Sequence, residues 1–359
     1  MFRFVFCVVI VAAFCLPASA ATPPRMETRW PGVHVVWYDD LNLKSVVAEF
    51  DTFLAVVEVP HDDATARALL AFLREKFPAK PVRFAFHTHH HDHSIGALDP
   101  LAAAGATVVT TAWNLDQIRG LAGNPAGADA NVLKIGGELE ISDGTNTLRA
   151  HVLKKDRYEI PTDEYIVVEL PGPKALVSGC LFNKPLTYFE VVNTRKTSLA
   201  AFLADRRMDT AWLVPTNSAR GSGFEDVCSR EMLTETLAKG LKPAEVADRF
   251  AARSVAELRA DIPALAAEFG KKTPRSYDLL VCGNFMRMKR KDFARSVVMF
   301  EIATQLFPKD MDAWYWLGEG RRRPEITREH ALRGPRRSSS RPPTTTAARS
   351  GRNWATNDR

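Results

Sequence analysis

The sequence predicts an α/β (α+β) fold in which two β-sheets pack face to face between outer helices, followed by an all-α segment. Three observations predict it. Short runs rich in Val and aromatic residues recur between residues 33 and 215, with helical patterns between them. A dense cluster of histidines follows one of these runs directly. Beyond residue 225 the apolar spacing becomes helical. This order of elements is typical of a layered sandwich.

The first 20 residues have the pattern of a secretory signal. Arg3 gives a charged start, residues 4–16 are apolar, and Ala18-Ser19-Ala20 is a small-residue cleavage site. The apolar run is too short to cross a bilayer comfortably, although an uncleaved anchor is the alternative. We therefore expect a secreted or periplasmic protein whose mature chain has no transmembrane span.

The first two-thirds of the chain predict alternating strands and helices. The helix at residues 64–77 has apolar side chains at helical spacing, and acids precede it, where they suit the helix dipole. Residues 114–142 carry no signature and are expected to form loops around a substrate pocket. The predicted strands are 33–38, 45–50, 52–59, 82–86, 106–110, 148–153, 165–170, 175–178 and 211–215, and the other predicted helices are 97–104 and 198–208.

Residues 87–93 contain five of the nine histidines of the chain and one aspartate. They leave the carboxyl end of the predicted strand 82–86, which is where open α/β sheets place their ligands. Imidazole nitrogens and carboxylates at this density suit a divalent ion such as zinc. A solvated histidine-rich tract that attracts metal only incidentally is the alternative.

Residues 46–59, the helix that follows, Pro81 to Phe84 and residues 87–98 together resemble the metallo-β-lactamase superfamily. Residues 167–182, VVELPGPKALVSGCLF, are similar to the strand-turn-strand before that family's fourth motif. The resemblance spans residues 30–222 and implies an αββα sandwich with a mono- or dinuclear metal site. Members cleave β-lactams, thioesters, lactones, sulfate esters or phosphodiesters, so the fold does not fix a substrate.

The first motif of the family, His-x-His-x-Asp-His, fits this chain in three registers. Anchoring it on Asp92 and His93 puts His90 at its second position. Anchoring it on His89 and His91 puts His93 at the aspartate position. A third register deletes one residue, so that His89, His91, Asp92 and His93 keep their roles. We expect His89 and His91 as ligands, His93 as the third, and Asp92 to ligate, or to orient the water or accept its proton.

The remaining motif positions depart from the family. Pro161 stands where an isolated histidine belongs and cannot ligate. His151, nearby, is a substitute ligand or, as we favour, a core histidine. Cys180 stands where the bridging aspartate belongs. Because the zinc β-lactamases carry Cys in a similar GGC context, Cys180 is either a thiolate ligand or a buried apolar thiol. Asn217 replaces the final histidine and is a poor zinc ligand.

Taken together, these residues predict an exported zinc-dependent hydrolase with a partly degenerate site and one or two ions. The small-molecule substrate would be an ester, lactone, amide or phosphodiester. The alternative is a catalytically silent scaffold that binds a partner protein through its helical repeat. A third hypothesis is a metal-trafficking protein that uses the histidine tract.

Residues 225–320 predict a helical segment. Pro243 suits the first turn of one helix, and Pro263 should kink or split a helix at residues 255–269. Residues 277–320 resemble a tetratricopeptide repeat, from the spacing of Ser296, Phe300 and other small or apolar residues, with a second unit opening at residue 314. One and a half units cannot stand alone and must pack on other structure.

The net charge of +6 comes from residues 321–359, whose eleven Arg and three acids give +8 and leave −2 for the rest. A nearly neutral body gives no basis for nucleic-acid binding. We predict a disordered basic tail, either authentic or created by a reading-frame shift near Gly320. Three cysteines follow the signal, so they do not make a disulfide framework.

Overall fold

The computed structural model describes residues 24–38, 41, 43–59, 62–91, 98–122, 131–217, 227–273 and 275–332. Within these ranges the chain forms thirteen strands and eleven helices. The predicted signal at residues 1–20 lies outside the described residues, as do residues 333–359 of the predicted tail.

The strands of the sandwich form two sheets. The first sheet has the order β1-β2-β3-β4-β5-β6-β7, antiparallel as far as β4 and parallel from β4 to β7. The second has the order β13-β12-β11-β10-β9-β8 and is antiparallel except between β11 and β12. The strands are β1 Arg25–Trp30, β2 Val33–Tyr38, β3 Leu43–Glu49, β4 Leu54–Val57, β5 Val82–Phe86, β6 Thr107–Thr110, β7 Val132–Lys134, β8 Glu138–Ser142, β9 Thr147–Lys154, β10 Glu164–Leu170, β11 Ala175–Gly179, β12 Trp212–Pro215 and β13 Cys228–Ser229.

Five helices accompany the sheets and six follow them. The first five are α1 Asp63–Lys76, α2 Leu98–Ala103, α3 Ala112–Ala122, α4 Thr194–Asp205 and α5 Arg230–Lys239. The other six are α6 Pro243–Ala251, α7 Val255–Ala260, α8 Ile262–Gly270, α9 Ser276–Met288, α10 Phe293–Leu306 and α11 Met311–Leu332.

Three apolar layers define the sandwich. Between the two sheets, Val57 and Phe86 of the first share a buried cluster with Val177 of the second. Outside the first sheet, Val56 packs with side chains from α1, α2 and α3. Outside the second sheet, Tyr165 packs with side chains from α4 and α5. Because strand faces alternate, each sheet buries both of its faces. The predicted αββα architecture followed by helices is confirmed.

The helical segment has a core of its own, built by α6 to α11. Gly283 of α9 is needed there, because a Cβ would meet the ring of Phe300 on α10. The predicted split of residues 255–269 is confirmed, since α7 ends at Ala260 and Pro263 lies in the first turn of α8. The sequence predicts that order ends near Gly320, whereas α11 continues to Leu332.

One expectation about the sandwich is wrong, and one strand was missed. Residues 114–142 were predicted as loops, but they hold most of α3 together with β7 and β8. Leu115 and Ile118 of α3 are fully buried. Two buried apolar residues are too few to give a recognisable helical pattern in the sequence. Strand β1 was not predicted, because it is an edge strand with mostly exposed side chains and lacks an apolar alternation.

Within the described residues, none of the helices is both long enough and apolar enough to cross a membrane.

Candidate metal centre

The carboxyl ends of three parallel strands, β4, β5 and β6, meet at one edge of the first sheet, and the histidine-rich loop leaves from the middle one. Hydrogen bonds hold the backbone of the first two residues of the loop, His87 and Thr88. The His87 N–H donates to the Val109 carbonyl (3.0 Å). The Thr88 carbonyl accepts from the Ile166 N–H (2.8 Å) and the Asn114 amide (3.2 Å). The loop is therefore tied to both sheets and to α3.

His89, His91 and Cys180 converge at this edge. One potential ligand atom of each lies within 4.8 Å of the others, and Cys180 Sγ is 3.7 Å from His91 Nδ1. In a tetrahedral zinc site with bonds of about 2.0–2.3 Å, the donor atoms lie roughly 3.3–3.8 Å apart. Two imidazoles and a thiol are a donor set that zinc prefers. These residues fit a zinc ion after small side-chain movements.

Asp92 and His93 lie outside the described residues, so their expected roles stay predictions. The register of the family motif is left open for the same reason. Of the five predicted site residues, the structure brings together His89, His91 and Cys180. Among the described residues this is the one group of three His, Cys, Asp or Glu side chains spaced to hold an ion.

A buried carboxylate supports His89 from behind. Glu58 follows β4 directly and is 3% exposed, and its carboxylate accepts from the Thr88 hydroxyl. Because that hydroxyl donates to the carboxylate, it can accept from His89 Nδ1, which lies 2.7 Å away. Glu58 Oε1 itself is 3.5 Å from the same nitrogen. This arrangement engages His89 Nδ1, so Nε2 is the nitrogen that would bind a metal, as in many sites where a carboxylate lies behind a ligating histidine.

Glu58 also adopts an unusual backbone conformation. Its φ is +62°, in the left-handed region that non-glycine residues rarely occupy. Its N–H donates to the Phe86 carbonyl, and its own carbonyl accepts from the Ser45 hydroxyl. These contacts offset the backbone strain and aim the side chain at Thr88.

Tyr165 supports Cys180 in a similar way. Its hydroxyl oxygen accepts the Cys180 N–H (2.8 Å) and lies 3.6 Å from Sγ. Its ring stacks on His89, with 4.6 Å between centroids. Gly179 makes this approach possible, because a Cβ there would overlap the Tyr165 hydroxyl, and its φ is +59°. The SGC sequence therefore has a steric reason for its glycine.

The electrostatics couple the thiol and the imidazole. Burial raises the pKa of the Cys180 thiol, but the neighbouring His89 and Arg195 outweigh burial and lower that pKa to about 7. Burial lowers the pKa of His89, and the negative charge on Cys180 reverses this and raises it. A divalent ion can take the place of the imidazole proton, because it binds the thiolate and the neutral imidazole together.

His90 lies in the same tract but faces another way. Its ring packs edge-on against Trp113, with 4.8 Å between centroids. Burial, and then the neighbouring His91 and His89, lower the pKa of His90 to about 4. His90 is therefore a neutral packing residue at physiological pH.

His151 does not belong to the cluster. His151 lies 3.3 Å from Glu169 and packs on Phe202 under α4, so the prediction of a core histidine is confirmed. Asn217 follows β12 and forms a β-bridge with Leu43.

Sequence reasoning missed Glu58 and Tyr165. Glu58 had a signal, since an acid directly after a buried apolar strand is unusual. Tyr165 had none, because its role depends on the pairing of β10 with β11, which brings it next to Gly179.

A cavity of about 310 Å³ lies elsewhere on the sandwich, lined by residues that include Glu49, Lys80 and Asn146. None of the three clustered donors lines it.

Comparison with known proteins gave structural neighbours only. No family model matches the chain, and no curated protein matches it. A metallo-β-lactamase from Hirschia baltica is 19% identical, with a TM-score of 0.46 over 62% of this chain and 100% of that one. A metallo-β-lactamase from Pontibacter korlensis is 17% identical, with a TM-score of 0.47 over 60% and 98%. The mono-zinc form of the metallo-β-lactamase FIM-1 from Pseudomonas aeruginosa is 20% identical, with a TM-score of 0.47 over 61% and 96%.

These TM-scores are below 0.5. What the fold and site define is a class: an αββα sandwich with a His-His-Cys cluster at one sheet edge.

Proposed function

We propose that this protein is a metal-dependent hydrolase of the metallo-β-lactamase superfamily, with a zinc ion held by His89, His91 and Cys180. The observation that carries the proposal is the convergence of these three donor atoms within 4.8 Å at the edge where parallel strands end. The sequence motifs around residues 46–98 and 167–182 support the family assignment.

The side chains that surround the cluster have separate tasks in this proposal. Glu58, through Thr88, fixes the His89 ring so that Nε2 faces the ion. Tyr165 fixes the backbone of Cys180, and its hydroxyl lies beside the thiolate. When bound, zinc would lower the pKa of a water ligand towards neutrality and polarise a carbonyl or phosphoryl oxygen.

Asp92 and His93 complete the proposal. A catalytic zinc keeps three protein ligands and an open position, and the described cluster supplies three donors. Asp92 would orient the attacking water or accept its proton, and His93 would be a ligand of a second ion. A second ion would need ligands beyond the three described, and these two residues are the candidates.

The reaction class is hydrolysis of an ester, lactone, amide or phosphodiester. All four have an electrophilic carbon or phosphorus with an oxygen that a metal can polarise. A panel of generic substrates of each kind, assayed with added zinc, would separate them.

Metal analysis tests the proposal directly. The protein is purified without added metal, and bound zinc per chain is measured for the wild type, His89→Ala/His91→Ala and His90→Ala. One tightly held equivalent that only the double variant loses supports the proposal. Absence of metal from the wild type would count against it, and weak binding of several ions lost equally in His90→Ala would favour a metal-trafficking histidine tract.

A second candidate function is a silent scaffold that binds a partner protein. The observation that favours it is on α11, where Met311, Trp314 and Tyr315 are exposed large apolar side chains at helical spacing. This function predicts no metal in the purified protein and no change of thermal stability in chelator.

We also propose that the protein is exported, because residues 1–20 have the pattern of a secretory signal. Expression with the full leader and N-terminal sequencing of the product tests this. A mature chain starting at Ala21 is the expected result.

A further inference from the structure

Three charged side chains, those of Glu190, Lys196 and Asp278, are buried where the sandwich meets the helical segment, and the half-buried Arg275 pairs with both acids. Glu190 precedes α4, Lys196 lies in its first turn, and Arg275 and Asp278 lie at the start of α9. Arg275 is 2.8 Å from Glu190 and 3.6 Å from Asp278, and Lys196 is 3.5 Å from Glu190. Glu190 and Asp278 are 3% and 0% exposed. Burial of charge at this depth is tolerated only when the charges are paired, as they are here.

This cluster holds the backbone of Val191. The Val191 N–H donates to Asp278 Oδ1 (3.0 Å), and the Val191 carbonyl accepts from Lys196 Nζ (2.6 Å). The Val191 side chain is fully buried in the core of the helical segment. A residue from the sandwich is therefore fixed by side chains of α4 and α9 and inserted into the second core.

The chain beside Val191 is held as well. The Leu241 N–H donates to the Glu190 carbonyl (3.0 Å), and the Val192 N–H donates to the Leu241 carbonyl (2.8 Å). Gly240 permits this approach, because a Cβ there would lie 2.6 Å from the Glu190 carbonyl oxygen. Three separate segments therefore close on residues 190–192.

Residues 181–191 connect this anchor to the metal centre. At one end, Leu181 and Phe182 follow Cys180 and are buried under α4 in the sandwich. At the other end, Glu190 also accepts the Leu186 N–H (2.6 Å). The loop is thus anchored in the sandwich next to Cys180 and in the helical segment at Val191, with exposed residues between.

We propose that Asp278 of the helical segment is a positioning residue for the metal centre, which it serves by fixing Val191 and so the loop that follows Cys180. This inference rests on the proposed function, since it concerns how Cys180 meets the ion. The helical segment then helps to position a metal ligand, in addition to any surface it offers to partners.

The physical basis is the position of Cys180, which lies in a turn just beyond β11. The strand and the Tyr165 hydroxyl hold Cys180 from one side, so the direction of Sγ also depends on the course of the chain after it, which runs through the buried Leu181 and Phe182. Without the Asp278 carboxylate, the Val191 N–H is buried without its acceptor and Arg275 loses one of its two charge partners. The anchor at Val191 is then weakened, with only Lys196 and Leu241 left to hold residues 190–192. An ion then loses part of the preformed geometry that favours binding.

Cobalt substitution tests the proposal, because a thiolate bound to Co²⁺ gives a charge-transfer band that histidine ligands alone do not. The variants are Asp278→Ala, Asp278→Asn, which keeps an acceptor for the Val191 N–H, and Phe269→Leu, which loosens the same helical core away from the loop. We expect Asp278→Ala to lose most of the band and to bind zinc on the order of tenfold more weakly. The Asn variant and the Phe269→Leu control should keep both.

An Asp278→Ala protein with the full band and unchanged zinc affinity would overturn the proposal. If that variant does not fold, hydrogen exchange of the wild type decides: zinc should slow exchange of the Leu186 and Val191 amides, and unchanged rates would refute the link. A wild type with no cobalt band at all would instead refute a metal centre containing Cys180, and this inference with it.

Discussion

The carboxylate of Glu58 lies 3.5 Å from Nδ1 of His89, and the Thr88 hydroxyl contacts both. The contact joins the ends of two neighbouring parallel strands, β4 and β5, whose register places Val57 opposite Phe86. It fixes which nitrogen of His89 is available to an ion, and this leads to the first prediction.

Replacing Glu58 by Gln should weaken zinc binding by about 10–100-fold, the usual cost of losing the partner of a ligating histidine. The amide is nearly isosteric but carries no negative charge, so its oxygen accepts the Thr88 hydroxyl less strongly than the carboxylate does. Competition with a chromophoric chelator measures the affinity. Glu169→Gln is the matched control, because Glu169 faces His151 under α4. Equal losses in the two variants would contradict the role assigned to Glu58.

Gly179→Ala should destabilise the protein more than Gly105→Ala. Both glycines have positive φ, so alanine should cost about 1–2 kcal/mol at either site from backbone strain. Around Gly105 no atom lies within 4 Å of the added Cβ, whereas at Gly179 it would overlap the Tyr165 hydroxyl. Urea unfolding of the two variants measures the difference. Adding Tyr165→Phe to Gly179→Ala should recover part of the excess, and no recovery would argue against the steric explanation.

Removal of metal should lower the thermal stability of the wild type. A ligand that binds only the folded state stabilises it by about 2.7 kcal/mol when its free concentration is 100 times Kd. Melting curves with zinc and with chelator should therefore differ for the wild type and coincide for His89→Ala/His91→Ala. The same shift in the double variant would place the bound metal elsewhere on the chain.

The stabilising contribution of the Glu49 carboxylate should be lost in acid. A hydrogen bond from Lys80 (2.6 Å), opposed by burial, and a further one with His34 (3.0 Å) lower the pKa of the Glu49 carboxyl. Its contribution to stability is therefore present above its ordinary pKa of about 4.3 and is lost as the pH falls through the lowered folded-state value. The free energies of unfolding of the wild type and Glu49→Gln should converge as the pH falls. In a Lys80→Met background the two should already be closer at pH 7.

Local patterns in the sequence were sufficient for most of the fold. Strands β2 and β5 were predicted with the bounds that the structure gives, because both are rich in valine and aromatic residues, and each lies between two neighbouring strands of its sheet. The αββα layering followed from the order of the elements. Strand β8 escaped prediction because only Ile141 among its five residues is buried, so its pattern is that of a polar loop.

The candidate site was predictable only in its ligands. His89 and His91 are conspicuous in the sequence, and Cys180 follows from the family resemblance. Glu58 and Tyr165 act through contacts made by strand pairing and by the packing of the sheets, to which the local sequence gives little guide. The cluster around Asp278 could not have been predicted, since its members are spread over residues 190–278 and meet only when the two cores pack together.

The left-handed backbone at Glu58 has a consequence for directed evolution. A glycine at this position would relieve the conformational strain, which for a non-glycine residue in this region is of order 1–3 kcal/mol, but it would leave Thr88 and His89 without their carboxylate. Selection of a variant library for heat resistance alone should therefore enrich glycine at position 58, while selection for ion retention should keep glutamate. At position 58 the residue that favours thermal stability differs from the residue that favours metal binding.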